Sequence, residues 1–208
     1  MPPETLDQAA TAARACTLCT LPLGPRPIFR LSAAARLLII GQAPGTKVHH
    51  SGIPWDDASG TRLRAWLGLD PETFYDAARV AILPMGLCYP GRLPRGGDAP
   101  PPRICAQTWH PRLLPHLPNI GLTLLVGSYA IARALGPGGM TDHVQRFREH
   151  LPARLPLPHP SWRTNGWERA NPWFTAELLP ALRARLRDIL DIPPPAARSC
   201  ANRTGGSP

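Results

Sequence analysis

No stretch of this sequence is both long and apolar. A helix that crosses a bilayer needs about 20 consecutive apolar residues, and no run in the 208 residues approaches that length. The first residues also lack the basic segment and the apolar segment that together open a secretory signal. We therefore expect neither a membrane protein nor a secreted one, and the predicted location is the cytoplasm.

Lysine and acidic residues are scarce. Lys47 is the only lysine, so arginine provides almost all of the 23 basic residues, which outnumber 14 acidic ones and give a net charge of +9. An excess of this size favours a polyanionic partner such as nucleic acid. A GC-rich genome would produce the same arginine-rich and proline-rich composition, so charge alone does not identify the partner.

Only five cysteines are present, and a cytoplasmic location argues against a disulfide framework. Cys16 and Cys19 form a C-x2-C pair, a spacing typical of metal ligands, and Cys88 and Cys105 bring the set to four. Zinc and a [4Fe–4S] cluster both bind four thiolates. The lack of a second C-x2-C pair disfavours a zinc ribbon, and ordinary buried thiols at the last two positions are the structural alternative. Cys200 falls in the C-terminal tail and is excluded.

Short apolar runs alternate with helical patterns along the chain. The predicted strands are 36–40, 79–83, 122–126 and 155–158, and the main predicted helices are 5–15, 59–67, 105–116, 128–135 and 174–190. This alternation predicts a single α/β domain over residues 1–192, an α/β/α sandwich with a central, mostly parallel four-stranded sheet. Residues 193–208 are rich in Pro, Ala, Ser and Gly and are predicted to be a disordered tail.

Ligands of such sheets bind beyond the carboxyl ends of the strands. Gly41, Pro84, Gly127 and His159 all fall at predicted strand ends. The first of these opens the loop Gly41–Gly45, whose two glycines allow the backbone to approach a ligand closely. The sequence has neither of the two common glycine-rich phosphate-binding motifs there. A plain structural turn is the alternative.

Two residues after this loop suggest chemistry. Trp55 has a flat ring that suits stacking on a base, and Asp57 precedes a predicted helix where it could polarise a water molecule. The structural alternatives are a core tryptophan and an aspartate that caps the helix. Both alternatives stay open at the level of sequence.

A second candidate segment follows the fourth strand. His159 is flanked by prolines, and a rigid imidazole N–H can stabilise charge that develops on a carbonyl oxygen. Ser161, Trp162 and Arg163 are residue types that contact phosphate or fill a gap in a base stack. They are therefore the predicted DNA-binding residues.

Together these motifs resemble the uracil-DNA glycosylase superfamily, and most closely its iron–sulfur branch. That branch has a GEAPG-like first motif, then G-x-P-F, and later an HPS motif. Here Gly41–Gly45 reads GQAPG, Gly52–Trp55 reads GIPW, and His159–Ser161 reads HPS. The four cysteines follow the branch in order and approximate spacing, and the resemblance covers residues 10–190.

The resemblance implies an enzyme that hydrolyses the N-glycosidic bond of a flipped-out uracil in DNA and leaves an abasic site. It implies DNA containing uracil, single- or double-stranded, as the partner of a monomeric protein. His159 and Asp57 would then be catalytic, while Gly41, Gln42, Ala43 and Trp55 would bind the base. Cys16, Cys19, Cys88 and Cys105 would hold a [4Fe–4S] cluster, with zinc as the alternative.

Gln42, Ala43 and Pro84 depart from the patterns of the superfamily, and Gln42 replaces the acidic residue of the GEAPG motif. Pro84 stands where an asparagine reads the uracil edge, so backbone groups around Met85 and Gly86 are the expected replacement. Ala43 stands where the best-known uracil glycosylases carry a catalytic aspartate, and Asp57 is placed like the water-activating acid of another branch. The alternatives are a glycosylase for hypoxanthine, xanthine or hydroxymethyluracil, or a non-catalytic protein that binds lesions or abasic sites.

Overall fold

Four parallel strands form the centre of the protein, whose computed structural model describes residues 3–193. The strands are β1 (Leu37–Ile40), β2 (Val80–Ile82), β3 (Leu122–Val126) and β4 (Arg154–Leu157), in the spatial order β2-β1-β3-β4. Ile39 pairs with Ile82 and Val126 pairs with Leu157, so the carboxyl ends of the strands meet at one edge. This is the sheet that the sequence predicts.

Ten α-helices surround this sheet in the described residues. They are α1 (Leu6–Arg14), α2 (Thr46–Ser51), α3 (Ala58–Leu67), α4 (Pro71–Tyr75), α5 (Arg103–Leu113), α6 (Ser128–Leu135), α7 (Met140–Gln145), α8 (Phe147–His150), α9 (Thr164–Ala170) and α10 (Leu179–Leu190). A 3₁₀ turn, Leu114–His116, extends α5, and a π-helical turn, Phe174–Leu178, precedes α10. Within residues 3–193 no helix has the length and apolarity to cross a membrane.

The strands are buried because helices cover the sheet. All residues of β1 and β2 are buried, which is why these strands read as continuous apolar runs rather than alternating ones. The closing helix α10 packs on α3 and β1 and buries a leucine face that includes Leu182 and Leu186. The predicted α/β fold is therefore confirmed.

The N-terminal segment closes one side of the sheet. Arg30 forms an antiparallel bridge with Ile82 of β2, and the Ile28 amide donates to the Leu87 carbonyl (2.7 Å). The preceding helix α1 packs against α5. Its start is fixed by Thr5, whose side chain and backbone exchange hydrogen bonds with Gln8. These contacts bring the segment after α1 to the exit of β2.

The predicted C-terminal tail lies almost entirely outside the described residues. Of the predicted tail, residues 193–208, only Pro193 is among the described residues. Cys200 lies outside them.

Candidate active site

The carboxyl edge of the sheet carries a cavity of about 90 Å³. Because a water molecule occupies roughly 30 Å³ in the liquid, the space suits one flat ring better than a whole nucleotide. Segments that follow β1, β2 and β4 meet there, as the strand ends predict. The lining residues are Ile28, Gly41, Gln42, Ala43, Pro44, Gly45, Val48, Pro54, Trp55, Asp57, Ser59, Ile82, Pro84, Asp98 and His159.

Trp55 forms one wall of this cavity. Its backbone φ of +59° is uncommon for a residue other than glycine, and its carbonyl accepts hydrogen bonds from the Tyr75 hydroxyl (3.2 Å) and the Arg64 guanidinium (3.4 Å). A Cβ on Gly60 would lie 1.7 Å from that carbonyl oxygen, and a Cβ on Gly41 would lie 2.7 Å from the indole. The ring is thus fixed, half-buried, between the core and the cavity.

His159 lies beside Trp55, with 5.9 Å between the ring centroids and a tilt of 34°. The His159 carbonyl accepts hydrogen bonds from the Ser161 amide (2.8 Å) and the Thr164 hydroxyl, which fix the main chain. Burial lowers the pKa of the imidazole, and the Asp57 carboxylate opposes this only in part. The ring is therefore neutral at pH 7 and keeps one N–H. Within residues 3–193 neither ring nitrogen has a protein hydrogen-bond partner.

Asp57 caps a helix with one carboxylate oxygen and lines the cavity with the other. Its Oδ1 accepts a hydrogen bond from the Gly60 amide (2.7 Å), which caps the N-terminus of α3. Its Oδ2 lies 3.8 Å from the point where a Cβ on Gly45 would be. The two roles proposed from the sequence are therefore compatible, because each uses a different carboxylate oxygen.

The first loop contributes both backbone and side chain. Gln42 and Ala43 line the cavity, and the Gln42 side-chain amide points towards the Ala99 carbonyl at 3.5 Å. Pro84 also lines it, but the Pro84 carbonyl is bonded to Nε2 of the buried His110 (3.1 Å). Neither the ring of this proline nor its carbonyl replaces the missing asparagine amide.

The structure does not bring Met85 and Gly86 into the cavity, although the sequence predicts that they bind the base. The Met85 amide donates to the Gly41 carbonyl and the Gly86 amide to the Gln42 carbonyl, each at 2.9 Å. Neither residue lines the cavity. Their amides connect the loops after β1 and β2 and are not free to contact a base.

Asp98 is a lining residue that the sequence did not reveal. It lies in the loop between Arg92 and Arg103, which is rich in proline and glycine. Its one distinguishing signal is that it is the only acidic residue in an otherwise basic stretch. Burial raises the pKa of the Asp98 carboxyl and the charge of Asp57 adds to this, while Arg92 and Arg163 oppose it.

The segment after His159 is exposed and partly basic. Trp162 has 74% of its surface exposed, and the Arg163 guanidinium lies 5.4 Å from its ring centroid. The Ser161 carbonyl accepts a hydrogen bond from Arg62 (2.9 Å), which also pairs with Glu168 (2.6 Å). An exposed tryptophan on a braced loop beside the cavity has the position expected of a DNA-contacting side chain.

The four cysteines of the predicted metal set line a separate small cavity. The Trp109 indole N–H donates to Cys16 Sγ (3.3 Å), and the Leu87 amide donates to Cys105 Sγ (3.2 Å). Burial raises the pKa of Cys88 and of Cys105 to about 11. Both groups therefore stay protonated at neutral pH unless a bound metal displaces the proton. Four sulfur donors are the ligand type that zinc and [4Fe–4S] clusters take.

The cysteine cavity differs from a compact single-ion site. Among residues 3–193, no three Cys, His, Asp or Glu side chains converge closely enough to hold one metal ion. The four thiols nevertheless share one cavity, which also contains Trp109 and Leu87. The N–H donors to sulfur are of the kind that surround iron–sulfur clusters and adjust their reduction potential.

A comparison with protein families decides the affiliation of the chain. Residues 29–183 match the model of the uracil DNA glycosylase superfamily. The chain belongs to the uracil DNA glycosylase superfamily. The match covers the sheet, Trp55, Asp57 and His159. Members of the superfamily are hydrolases that act on DNA in repair. The family thus supports DNA as the partner and DNA glycosylase as the activity. Cys16 and Cys19 lie before the matched residues.

Proposed function

We propose that this glycosylase excises uracil from DNA by hydrolysing its N-glycosidic bond. One observation carries the proposal: the first-motif loop, Trp55, Asp57 and His159 converge on a single cavity sized for one ring. Each of these groups has a distinct part in releasing a flipped base. None of them would need to lie at the same cavity if its role were only structural.

The base must first leave the stack. Extruding a nucleotide costs a few kcal/mol, and less in a mismatch or a single strand. In this proposal the Trp162 ring, which is exposed, fills the gap left in the stack, and Arg163 beside it contacts phosphate. Inside the cavity the Trp55 indole stacks on the base. Basic residues hold the backbone through a salt-dependent interaction.

His159 acts on the leaving base. As the glycosidic bond breaks, negative charge collects on a carbonyl oxygen of the base. The neutral His159 imidazole donates its N–H to this oxygen, and because neither ring nitrogen is engaged within residues 3–193, no existing protein bond must break first. Such a fixed donor in a dry site stabilises developing charge without reorganisation.

Asp57 acts on the sugar. The bond-breaking step leaves positive charge on the deoxyribose, and a carboxylate stabilises it and orients the attacking water. Its capping bond to Gly60 holds Asp57 in place, while Oδ2 stays available to the cavity. Asp57 thereby takes the role of the catalytic aspartate that is absent at position 43, where this chain has Ala43.

We further propose that Cys16, Cys19, Cys88 and Cys105 hold a [4Fe–4S] cluster. Support comes from four thiols that share one cavity with N–H donors to sulfur. The cluster would cross-link the N-terminal segment to the exit of β2 and to α5, a structural rather than a catalytic contribution. Broad visible absorption and bound iron would support it, and a colourless protein containing zinc would contradict it.

Another damaged base is the second candidate substrate. Pro84 provides no amide for the uracil edge, and His110 occupies its carbonyl. Oligonucleotides that contain uracil, hypoxanthine, xanthine or hydroxymethyluracil, each single-stranded and in duplex, separate the two candidates by their rates of base release. Fastest release from the uracil strands supports the proposal. Faster release of another base, or tight binding without any release, rejects it.

A further inference from the structure

Asp98 lies at the mouth of the base cavity. It is more exposed to solvent than the other lining residues, of which Ile28, Ile82 and Pro84 are buried. A flipped nucleotide enters base first, so its sugar stays nearer to the mouth. Asp98 is therefore on the side of the sugar, where the glycosidic bond breaks, and not at the far edge of the base.

The loop that carries Asp98 has a defined shape. Arg92 and Asp98 form a short antiparallel bridge, the Leu93 amide donates to the Gly97 carbonyl (2.9 Å), and the Ala99 amide donates to the Gly91 carbonyl (2.8 Å). These bonds fix the backbone on both sides of the carboxylate. No side-chain hydrogen bond or ion pair involves the Asp98 carboxylate within residues 3–193. The carboxylate, which is carried on a hydrogen-bonded backbone, is therefore available to a ligand.

Asp98 and Asp57 flank the same point in space. A Cβ placed on Gly45 would lie 3.5 Å from Asp98 Oδ2 and 3.8 Å from Asp57 Oδ2. The other oxygen of Asp57 is engaged by the Gly60 amide. The two free oxygens thus converge on a space that exists because residue 45 has no side chain. That space can admit a water molecule in contact with both carboxylates.

We propose that Asp98 is a second catalytic carboxylate that, together with Asp57, holds the attacking water at the sugar end of the cavity. The inference rests on the proposed function, because it assigns a residue to that same hydrolysis. The water oxygen forms a bond to C1′ of the deoxyribose, and the bond from C1′ to the base nitrogen breaks. Its electron pair leaves with the base, and one proton of the water passes to a carboxylate.

The negative charges of Asp57 and Asp98 favour the transition state over the free enzyme. Two carboxylates that face each other repel in the free enzyme, and a cationic sugar between them and the base relieves that repulsion. The groups that face Asp98 are Asp57, which raises its pKa, and Arg92 and Arg163, which lower it. The net direction is a raised pKa, so base release should decline on acidification earlier than an ordinary aspartate would require.

Gly45→Ala is the sharpest test. Residue 45 has φ of −81°, and the added methyl group would make only ordinary contacts with the two carboxylates, so the variant should fold normally. The methyl group would occupy the water position. We expect single-turnover uracil release to fall at least tenfold, with unchanged melting temperature and unchanged binding to DNA that carries a non-hydrolysable deoxyuridine analogue. Gly166→Ala, at a glycine with no neighbouring atom within 4 Å, is the matched control.

Asp98→Asn tests the carboxylate itself. Loss of a base in hydrolysis typically costs about 10²–10⁴ in rate, and Asp98→Asn should lose about 10² with the acidic limb of the pH profile changed. Asp188→Asn, an exposed acid on α10, should leave rate and profile unchanged. Because the pair shares one water, Asp57→Asn combined with Asp98→Asn should cost less than the product of the single losses.

The outcomes separate this inference from the proposed function. If the wild-type protein releases no uracil, the proposed function fails whatever the variants do. If the wild type releases uracil and Asp98→Asn or Gly45→Ala keeps the full rate and pH profile, Asp98 does not hold the water. Full additivity of the two aspartate substitutions would likewise overturn the shared role.

Discussion

Replacing His159 by alanine should abolish most base release while sparing the fold. The imidazole makes no protein hydrogen bond within residues 3–193, so its removal leaves no buried partner unsatisfied. The bonds that hold this loop come from the Ser161 amide and the Thr164 hydroxyl to the residue 159 carbonyl, and alanine keeps that carbonyl. The loss should therefore appear in the chemical step and not in stability.

The size of the effect follows from the role of the N–H. One fixed donor to a developing oxyanion contributes about 10²–10³ in rate, or about 2.7–4 kcal/mol. Single-turnover release of uracil from an oligonucleotide measures this loss. Binding to DNA that carries a non-hydrolysable analogue, measured in parallel, should change much less. A variant that keeps its turnover, or one that loses DNA binding as strongly as turnover, would refute the assignment of His159 to the leaving base.

Four other predictions address separate parts of the structure. Asp57→Asn keeps a capping oxygen and should slow base release by about 10² or more. Asp57→Ala should in addition lower the free energy of unfolding by about 0.5–2 kcal/mol. If base release fell only as far as stability did, Asp57 would be a helix cap and not a catalytic residue. In an unobstructed helix Gly60→Ala would raise the free energy of unfolding by about 1 kcal/mol. Here the clash with the Trp55 carbonyl should make the variant less stable in a denaturant titration. A more stable variant would contradict the tight contact. Cys105→Ser should lose visible absorption and bound iron in the purified protein, and retention of both would show that this thiol is not a ligand. Burial lowers the pKa of His110 and of His159 below 6.5. Because the unfolded chain then binds more protons than the folded one, denaturant titrations should show that stability falls as pH drops below about 6.5. Constant stability down to pH 5 would contradict the burial of both rings in the neutral form.

The main features of the sheet could be predicted because buried parallel strands appear in the sequence as continuous apolar runs. Once β1, β2 and β4 are placed, their carboxyl ends must meet, and Gly41, Pro84 and His159 must lie near one another. The closing helix was predictable from a leucine face that repeats over several turns, although the first part of the predicted span, Phe174–Leu178, forms a π-helical turn.

The short helices were not predictable in this way. Helices α2, α4, α7, α8 and α9 have too few turns to show a helical period, and their ends are set by contacts with the rest of the domain. The helix predicted at 105–116 begins earlier, at Arg103, and its last residues form a 3₁₀ turn, because Pro115 interrupts the regular bonding.

The contents of the cavity depend on tertiary bonds that residue types do not encode. Met85 and Gly86 follow β2 as expected, but their amides are already bonded to carbonyls of the first loop. Asp98 reaches the cavity because its loop is held at Gly91 and Leu93. The sequence does not separate a cap from a catalytic acid at Asp57, because one carboxylate oxygen caps α3 and the other faces the cavity.

We propose that this cavity releases uracil from DNA. The most direct test is to incubate the purified protein with a labelled oligonucleotide that carries one deoxyuridine, single-stranded and in duplex, and then to cleave abasic sites with alkali. Strand scission at the uracil position, lost in His159→Ala, is the predicted result. An intact strand after prolonged incubation with a large excess of folded protein would contradict it.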